Sequence, residues 1–545
     1  MAEFFSATNP HLYVTIVLTI LNSVLLCFTG YKFLQILQLS GYKIYGYNAW
    51  LKKTPGRYFS RIFMLSFLSF ACMLVFVSVV DGLEPMHYAS YAGIVFYALF
   101  SGVFIKRMYT APKKTPLKQT HRMNRLITCL LIVNLIVNFG LLCVSNVYLP
   151  HIRYIIIAIT PILLSILVPF CHFVMIPLEK LINLKYLNGA KAKLGKLPTL
   201  IKIGITGSYG KTSTKYILNT ILSEKYSVCI SPYSFNTAMG LTKVVLDYLK
   251  PDNQILIAEM GAKQVGDIKE LCDLIHPQYA ILTSVAPQHL DTFGNLENIT
   301  KTKNELIESL PVYGHAVFNC DNAICQELSE KCKVSHSTTS LENQKCTVFA
   351  KDIKTSSSGT EFVAVIGDEE IVCKTKLVGL HNVTNILMCI AMAKKLELTN
   401  AQIAKGISKL KPVAHRLELI NSNGVKILDN SYNSSPESSV QSLNTLTLFS
   451  GRKIVVTPGL IELGNREFEE NKKFGENIAK IADIAIIVNE TNKESLVQGL
   501  TDGGMQPENI FTTPTLDHAQ LKLKEILQKG DVVLFENDLP DNYNE

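Results

Sequence analysis

Five stretches of this chain are too long and too apolar for the surface of a water-soluble domain, and all five come first. They fall at roughly 11–31, 60–80, 87–105, 126–148 and 153–177. Each is near the ~20 residues that a helix needs to cross a bilayer. Residues 1–10 hold no Lys or Arg and no small-residue cleavage site, so the first run reads as a retained span. The loops set a direction. Lys32, Lys43, Lys52, Lys53, Arg57 and Arg61 lie between the first two runs. Lys106, Arg107, Lys113, Lys114, Lys118, Arg122 and Arg125 lie between the third and fourth. Only Asp81 and Glu84 mark the loop between the second and third, and Arg153 edges the last short loop. Basic loops stay on the cytoplasmic side. The expectation is an outside N-terminus, with everything beyond about residue 180 in the cytoplasm. Tyr42, Tyr45, Tyr47 and Trp50 sit among lysines and read as an interfacial anchor. No Asp, Glu, Lys or Arg falls mid-span, which weighs against an ion-coupled transporter.

The net charge of +8 is concentrated in the first 200 residues. That suits membrane-flanking loops and not a nucleic-acid groove. The 13 cysteines show neither a Cys-x-x-Cys pair nor zinc spacing, and read as reduced thiols. At 545 residues the chain is several units long. The reading is a helical membrane region at 1–180 with about five spans, a central α/β domain at 181–410 and a second α/β domain at 411–545.

Beyond residue 200 short apolar runs alternate with helical patterns, which suggests parallel sheets covered by helices. "LIKIGITGS" is a strand entering a glycine turn. "KTSTKYILNTILSEK" continues as a helix with Ile217, Leu218, Ile221 and Leu222 on one face. The turn between them, "TGSYGKTS", contains Thr206, Gly207, Ser208, Gly210, Lys211, Thr212 and Ser213. It departs from the usual phosphate-loop spacing, because Ile205 stands where the first glycine belongs. The chemistry survives. Free N–H groups and the positive end of the helix dipole attract phosphate. Lys211 reaches the outer phosphates, and the Thr212 hydroxyl suits Mg²⁺. "QILIAEMG", "YAILTSV" and "HAVFNCDN" read as further strands. Glu259 ends the first and His289 follows the second. Strand C-termini line the ligand crevice of such sheets, so the two are candidate Mg²⁺ ligands, although either alone reads as an ordinary loop residue.

The order TGSYGKTST, FNTAMGL, AEMGA, APQHLDTFG, TKNELIESL, NCDN, GLHNVTN, HRLEL, DNSYNSSP, PGLIELG resembles that of the Mur ligases over roughly 200–535. It is most like the branch that joins D-alanyl-D-alanine to a UDP-MurNAc-tripeptide. The resemblance implies a P-loop central ATPase domain and a C-terminal Rossmann-like α/β domain. It implies ADP-forming amide ligation in peptidoglycan precursor synthesis: a carboxylate attacks the ATP γ-phosphate, and an amine then displaces phosphate from the acyl phosphate. It also implies roles. Thr212, Glu259 and His289 match ligands of two Mg²⁺, and Lys303 the position of a carbamylated lysine. His381, Asn382 and Asn385 match an adenine-holding segment. Arg416 matches an arginine reaching the phosphates from the last domain. Asn236 and Thr237 match a loop near the substrate carboxylate. "GVKILDN", "RKIVVTPG", "IAIIVN", "NIFTTP" and "DVVLFEN" then read as strands of a mobile third domain. The segment 346–379 reads as small inserted β hairpins.

Three departures stand out. Membrane spans occupy the place of the family's UDP-sugar-binding first domain, which favours a membrane-presented cell-wall precursor. The family's nucleotide-side Asp aligns with Asn430, with Asp429 just before it, and either could serve. An acidic "FENDLPDNYNE" replaces a Lys-Gly-Ser-Arg-like end near the acceptor. The expectation is a membrane-anchored, ATP-dependent amide ligase. The alternatives are a polyglutamate-type ligase, a transporter or scaffold carrying an ATPase domain, and a non-catalytic relative.

Overall fold

The computed structural model describes residues 10–53, 99, 102–103, 106, 117–148, 153–232, 234–288, 290–432 and 434–537. They divide into two compact units, one ending at Ile182 and the other spanning Asn183–Leu539.

The first unit is helical: Pro10–Thr29, Tyr31–Leu39, Ile44–Lys53, His121–Tyr148 and the start of Arg153–Gly195. His121–Val144 and Thr160–Gly195 are long and apolar enough to cross a membrane, and the pair Thr15–Thr29 and Tyr31–Leu39, bent by 41°, is a third candidate. The expected spans at 60–80 and 87–105 fall almost wholly outside the described residues. Burial here differs from that of a soluble domain: beside an apolar core, large apolar side chains face outward and amides lie inside. Ile136 is 67% exposed and Phe173 70%, while Asn22 and Asn138 are each 1% exposed. The buried amides bond to one another. Asn22 Nδ2 donates to Asn138 Oδ1 at 2.7 Å and to Thr160 Oγ1 at 3.1 Å. Asn138 Nδ2 donates to Ser23 Oγ at 3.2 Å. Three helices are thus joined by uncharged hydrogen bonds, as suits helices whose outer faces meet lipid.

The aromatic-basic stretch differs from expectation. Tyr47 and Trp50 are buried in the core of this unit. Trp50 stands edge-on to Phe33 with ring centroids 6.2 Å apart, and Tyr47 Oη donates to Ser165 O at 3.0 Å. Tyr45 is exposed. The helix expected to end near 177 continues to Gly195, a run of 43 residues that contains Pro161, Pro169 and Pro177. Its last turns place Ala190 and Leu194 in a core of the second unit with Leu200 and Val244.

The second unit carries two sheets. The first uses β1 (Ile201–Thr206), β2 (Val228–Ile230), β3 (Ile255–Glu259), β4 (Tyr279–Leu282), β5 (His315–Asn319), β6 (Ser335–Ser340), β7 (Val348–Ser356), β8 (Gly359–Ile366) and β9 (Glu369–Thr375). Its order is β2-β3-β1-β4-β5-β6-β7-β8-β9. The pairs from β2 to β7 are parallel and β7-β8-β9 are antiparallel. The hairpins expected at 346–379 therefore extend the main sheet, with Thr339 paired to Val348. Ile203, Ile205, Ile257 and Ile281 point to one face, where Ile217, Leu218, Ile221 and Leu222 of the Lys211–Leu222 helix cover them. This places β1 between β3 and β4, with all three C-termini at one edge.

The second sheet has β10 (Glu418–Ser422), β11 (Val425–Asn430), β12 (Lys453–Thr457), β13 (Ile484–Val488), β14 (Ile510–Thr513) and β15 (Val532–Glu536) in the order β10-β11-β15-β12-β13-β14. Only β10 is antiparallel.

Replacing Asn138 with Leu removes two interhelical bonds of the first unit. The expected loss is about 1 kcal/mol, measured as a lower unfolding midpoint in detergent.

Candidate active site

The glycine turn leaves β1 and opens the Lys211–Leu222 helix. Gly207 has φ +151° and Gly210 φ +84°. A Cβ at Gly207 would sit 2.0 Å from Thr283 Oγ1, so the turn closes against the end of β4 only without a side chain. Thr206 Oγ1 donates to Met260 O at 2.9 Å, and Ser208 Oγ to Ala286 O at 2.9 Å. The turn is therefore pinned to the chain leaving β3 and β4. No side chain caps the helix at Gly210, which leaves its first-turn N–H groups for an anion. Lys211 Nζ donates to Gly207 O at 2.5 Å and Ser208 O at 3.0 Å.

Glu259 ends β3 and is 1% exposed. Its Oε1 accepts from Thr212 Oγ1 at 3.0 Å and from Asn236 Nδ2 at 3.3 Å. Its Oε2 lies 3.0 Å from Lys215 Nζ, and that ammonium is fully buried. The structure thus joins three residues singled out in the sequence, Thr212, Asn236 and Glu259, and adds Lys215. The readable signal for Lys215 was its place three residues after Thr212, on the same helical face. Thr237 caps the Ala238–Lys243 helix, accepting from Gly240 N at 3.3 Å.

Lys303 lies on the Leu296–Glu308 helix, buried, and its ammonium has no hydrogen bond or ion pair among the described residues. Burial, and then Lys211, push its pKa far below the usual lysine value. Glu305 is held by Gly266 N and Lys269 N, both at 2.8 Å. His289 lies outside the described residues. Among the described residues no group of three or more His, Cys, Asp or Glu could hold a metal ion.

Arg416 sits between two residues in the left-handed region, His415 at φ +60° and Leu417 at φ +50°. Its guanidinium lies 4.0 Å over the Tyr432 ring, and Tyr432 Oη bonds to Ser234 Oγ beyond β2. Burial brings Lys211 down to about 8; Glu259 opposes the shift and Arg416 adds to it. Arg416 therefore shares the electrostatic environment of Lys211 and Glu259. Beside it is a small cleft lined by Ser213, Ile217, Val378, Asn382, Arg416 and Leu417 among others. Asn382 Nδ2 donates to Val378 O at 2.8 Å, and Asn385 Oδ1 accepts from Thr214 Oγ1 at 3.2 Å. Burial lowers His381 to about 4, and its Nδ1 has no hydrogen-bond partner among the described residues.

Asp429 and Asn430 part ways. Asp429 accepts from Ser431 N at 3.0 Å and meets His415 Nδ1 at 2.7 Å. Asn430 turns inward, and its Nδ2 lies 3.0 Å from both oxygens of Glu536. Ser434 donates to the same carboxylate, which is fully buried and pushed up to about 7 by burial. Asn430's amide is therefore engaged inside the second sheet. After β12, Glu462 O accepts from Leu290 N at 3.1 Å, and its carboxylate lies 3.4 Å from Lys263.

A glycine turn between a parallel strand and a helix, with a carboxylate at the next strand's end, defines an α/β phosphate-binding protein. Residues 205–393 match the Mur ligase middle domain, and residues 415–536 match the Mur ligase, glutamate ligase domain. A Bacillus subtilis protein named UDP-N-acetylmuramoyl-tripeptide--D-alanyl-D-alanine ligase is 30% identical over 372 residues, 67% of this chain and 79% of its own. The Escherichia coli protein of that name is 28% identical over 335 residues, 60% of this chain and 73% of its own. The structure of MurF ligase from Thermotoga maritima in complex with ADP superposes with TM-score 0.59 at 28% identity, covering 65% of this chain and 80% of that one. The chain belongs to the Mur ligase family.

Two outcomes follow from this geometry. Gly207→Ala is expected to abolish nucleotide binding, read by isothermal titration, because its Cβ collides with Thr283. Glu536 holds a proton more tightly folded than unfolded, so its contribution to stability falls as pH rises from about 4.5 to about 7. Glu536→Gln should flatten that slope, recovering up to about 3 kcal/mol at pH 8, measured by denaturant unfolding at pH 5 and pH 8.

Proposed function

We propose that this protein is an ATP-dependent, ADP-forming amide ligase that acts on a peptidoglycan precursor at the membrane. The observation that carries the reading is the convergence of Lys211, Lys215 and Arg416 on one loop and one carboxylate, Glu259. Such a cluster suits a polyanion, because attack of a carboxylate on a triphosphate needs charge neutralisation.

The loop N–H groups and Lys211 take the phosphates, which requires Lys211 to exchange its bonds to Gly207 O and Ser208 O. Asn382 lines the cleft assigned to the nucleoside, and Asn385 and neutral His381 stand on the same helix. Arg416 approaches the phosphates from the linker to the second sheet. Asn236 and Thr237 border the acyl substrate. Thr212 and Glu259 are the two oxygen donors that suit a hard divalent cation carried in with phosphates, and such an ion neutralises charge on the transferring phosphoryl group. Burial and Lys211 disfavour the charged form of Lys303, and a neutral amine is the form that adds CO₂, so it suits the carbamate that the family likeness implies. His289 completes the set. Asp429 is the residue of the 429–430 pair left facing outward, and we assign it the nucleotide-side role. Contact of Glu462 with Leu290 brings the second sheet's loop to the catalytic segment, where it helps exclude water from an acyl phosphate.

The relatives' names point to a UDP-MurNAc-peptide and D-alanyl-D-alanine as substrates. The apolar outer faces of the helical unit, with its buried amide network, support anchoring in the cytoplasmic membrane. The basic loops support an outside N-terminus and a cytoplasmic ligase, and the acyl donor is then a membrane-presented precursor.

Purified protein in detergent should release ADP only when both an acyl donor and an amine acceptor are present, and Lys211→Ala should lower that rate at least ~10²-fold. ADP release that ignores either substrate, or survives intact in the variant, overturns the ligase reading. Extraction of the protein from membranes by alkaline carbonate would overturn the anchoring.

A further inference from the structure

We propose that Lys215 is a resident counter-ion that keeps a free divalent cation out of the Glu259 site, so that the cation enters only together with nucleotide phosphates. The inference rests on the ligase reading and deepens it.

Glu259 meets three side chains at once: its Oε1 accepts from Thr212 at 3.0 Å and Asn236 at 3.3 Å, and its Oε2 forms an ion pair with Lys215 at 3.0 Å. The Lys215 side chain is 0% exposed and that of Glu259 1%, so water screens neither charge. Among the described residues, three cations, Lys211, Lys215 and Arg416, act on this one carboxylate. Glu259 acts on Lys211, Lys215 and Arg416, and Arg416 acts in turn on both lysines. A bare dication entering this site meets a neutralised carboxylate and an excess of positive charge. A polyphosphate reverses that balance by pairing with Lys211 and Arg416, and the cation that travels with it is then welcome. Lys215 is a positioning residue in this account. It holds the carboxylate beside Thr212 and sets the order of entry, without touching the nucleotide.

Mn²⁺ reports the order directly, by electron paramagnetic resonance on the full chain in detergent. Wild type should show no site tighter than on the order of 1 mM for Mn²⁺ alone, a tight site once ADP is added, and measurable ADP binding in EDTA. Lys215→Gln should bind Mn²⁺ without nucleotide at least about tenfold more tightly than wild type. Lys215→Arg should restore the wild-type pattern. Tight Mn²⁺ binding to wild type without ADP overturns the proposal, and so does unchanged nucleotide-free binding in Lys215→Gln. If Lys215→Gln does not fold, the wild-type titrations with and without ADP decide. The two readings fail separately. Protein that binds ADP yet takes Mn²⁺ without it loses only this inference, whereas protein that never binds ADP loses both.

Discussion

An ionised carboxylate sealed from water is stabilised by a cation beside it, and at the end of β3 Lys215 is that cation for Glu259. Removing one partner of such a buried pair typically costs ~3–5 kcal/mol, because the other charge is left stranded. The pair ties β3 to the helix that begins at the glycine turn. The position of that helix fixes the turn, and the turn fixes Lys211. Asn236 adds the loop after β2 to the same carboxylate. One ion pair thus registers three segments distant in sequence.

The helical unit solves the opposite problem. Apolar side chains fill its core and also cover its outer faces, and amides such as Asn22 and Asn138 are buried among them. In water such an arrangement would expose large apolar area for no return. In hydrocarbon it is the stable choice, since amides find partners only among themselves. The network that joins Asn22, Ser23, Asn138 and Thr160 carries no charge, and it ties helices together.

Some of this was legible in the sequence because it is local. The strand, turn and helix around Lys211 are contiguous, and their side chains face a direction set by helix and strand periods alone. Glu259 was legible as a carboxylate at a strand end. Lys215 was not singled out, because a lysine on an otherwise apolar face acquires meaning only when a carboxylate from another strand meets it. Asn430 and Glu536 are 106 residues apart, and only the insertion of β15 beside β11 brings them together. The aromatic cluster at 42–50 was read as interfacial because composition does not distinguish rings facing headgroups from rings facing Phe33. β6, with the sequence SHSTTS, lacks apolar alternation and is a strand only because β5 and β7 flank it.

The two left-handed residues around Arg416 carry a further implication. Neither His415 nor Leu417 is a glycine, and such backbone costs roughly 1–3 kcal/mol each. A selection for heat tolerance alone would relieve that strain by installing glycine at either place. The connector between the two sheets would then become limp, and the guanidinium would lose its fixed bearing on Tyr432. Hardier variants of this protein found by such a screen would therefore trade away aim for endurance.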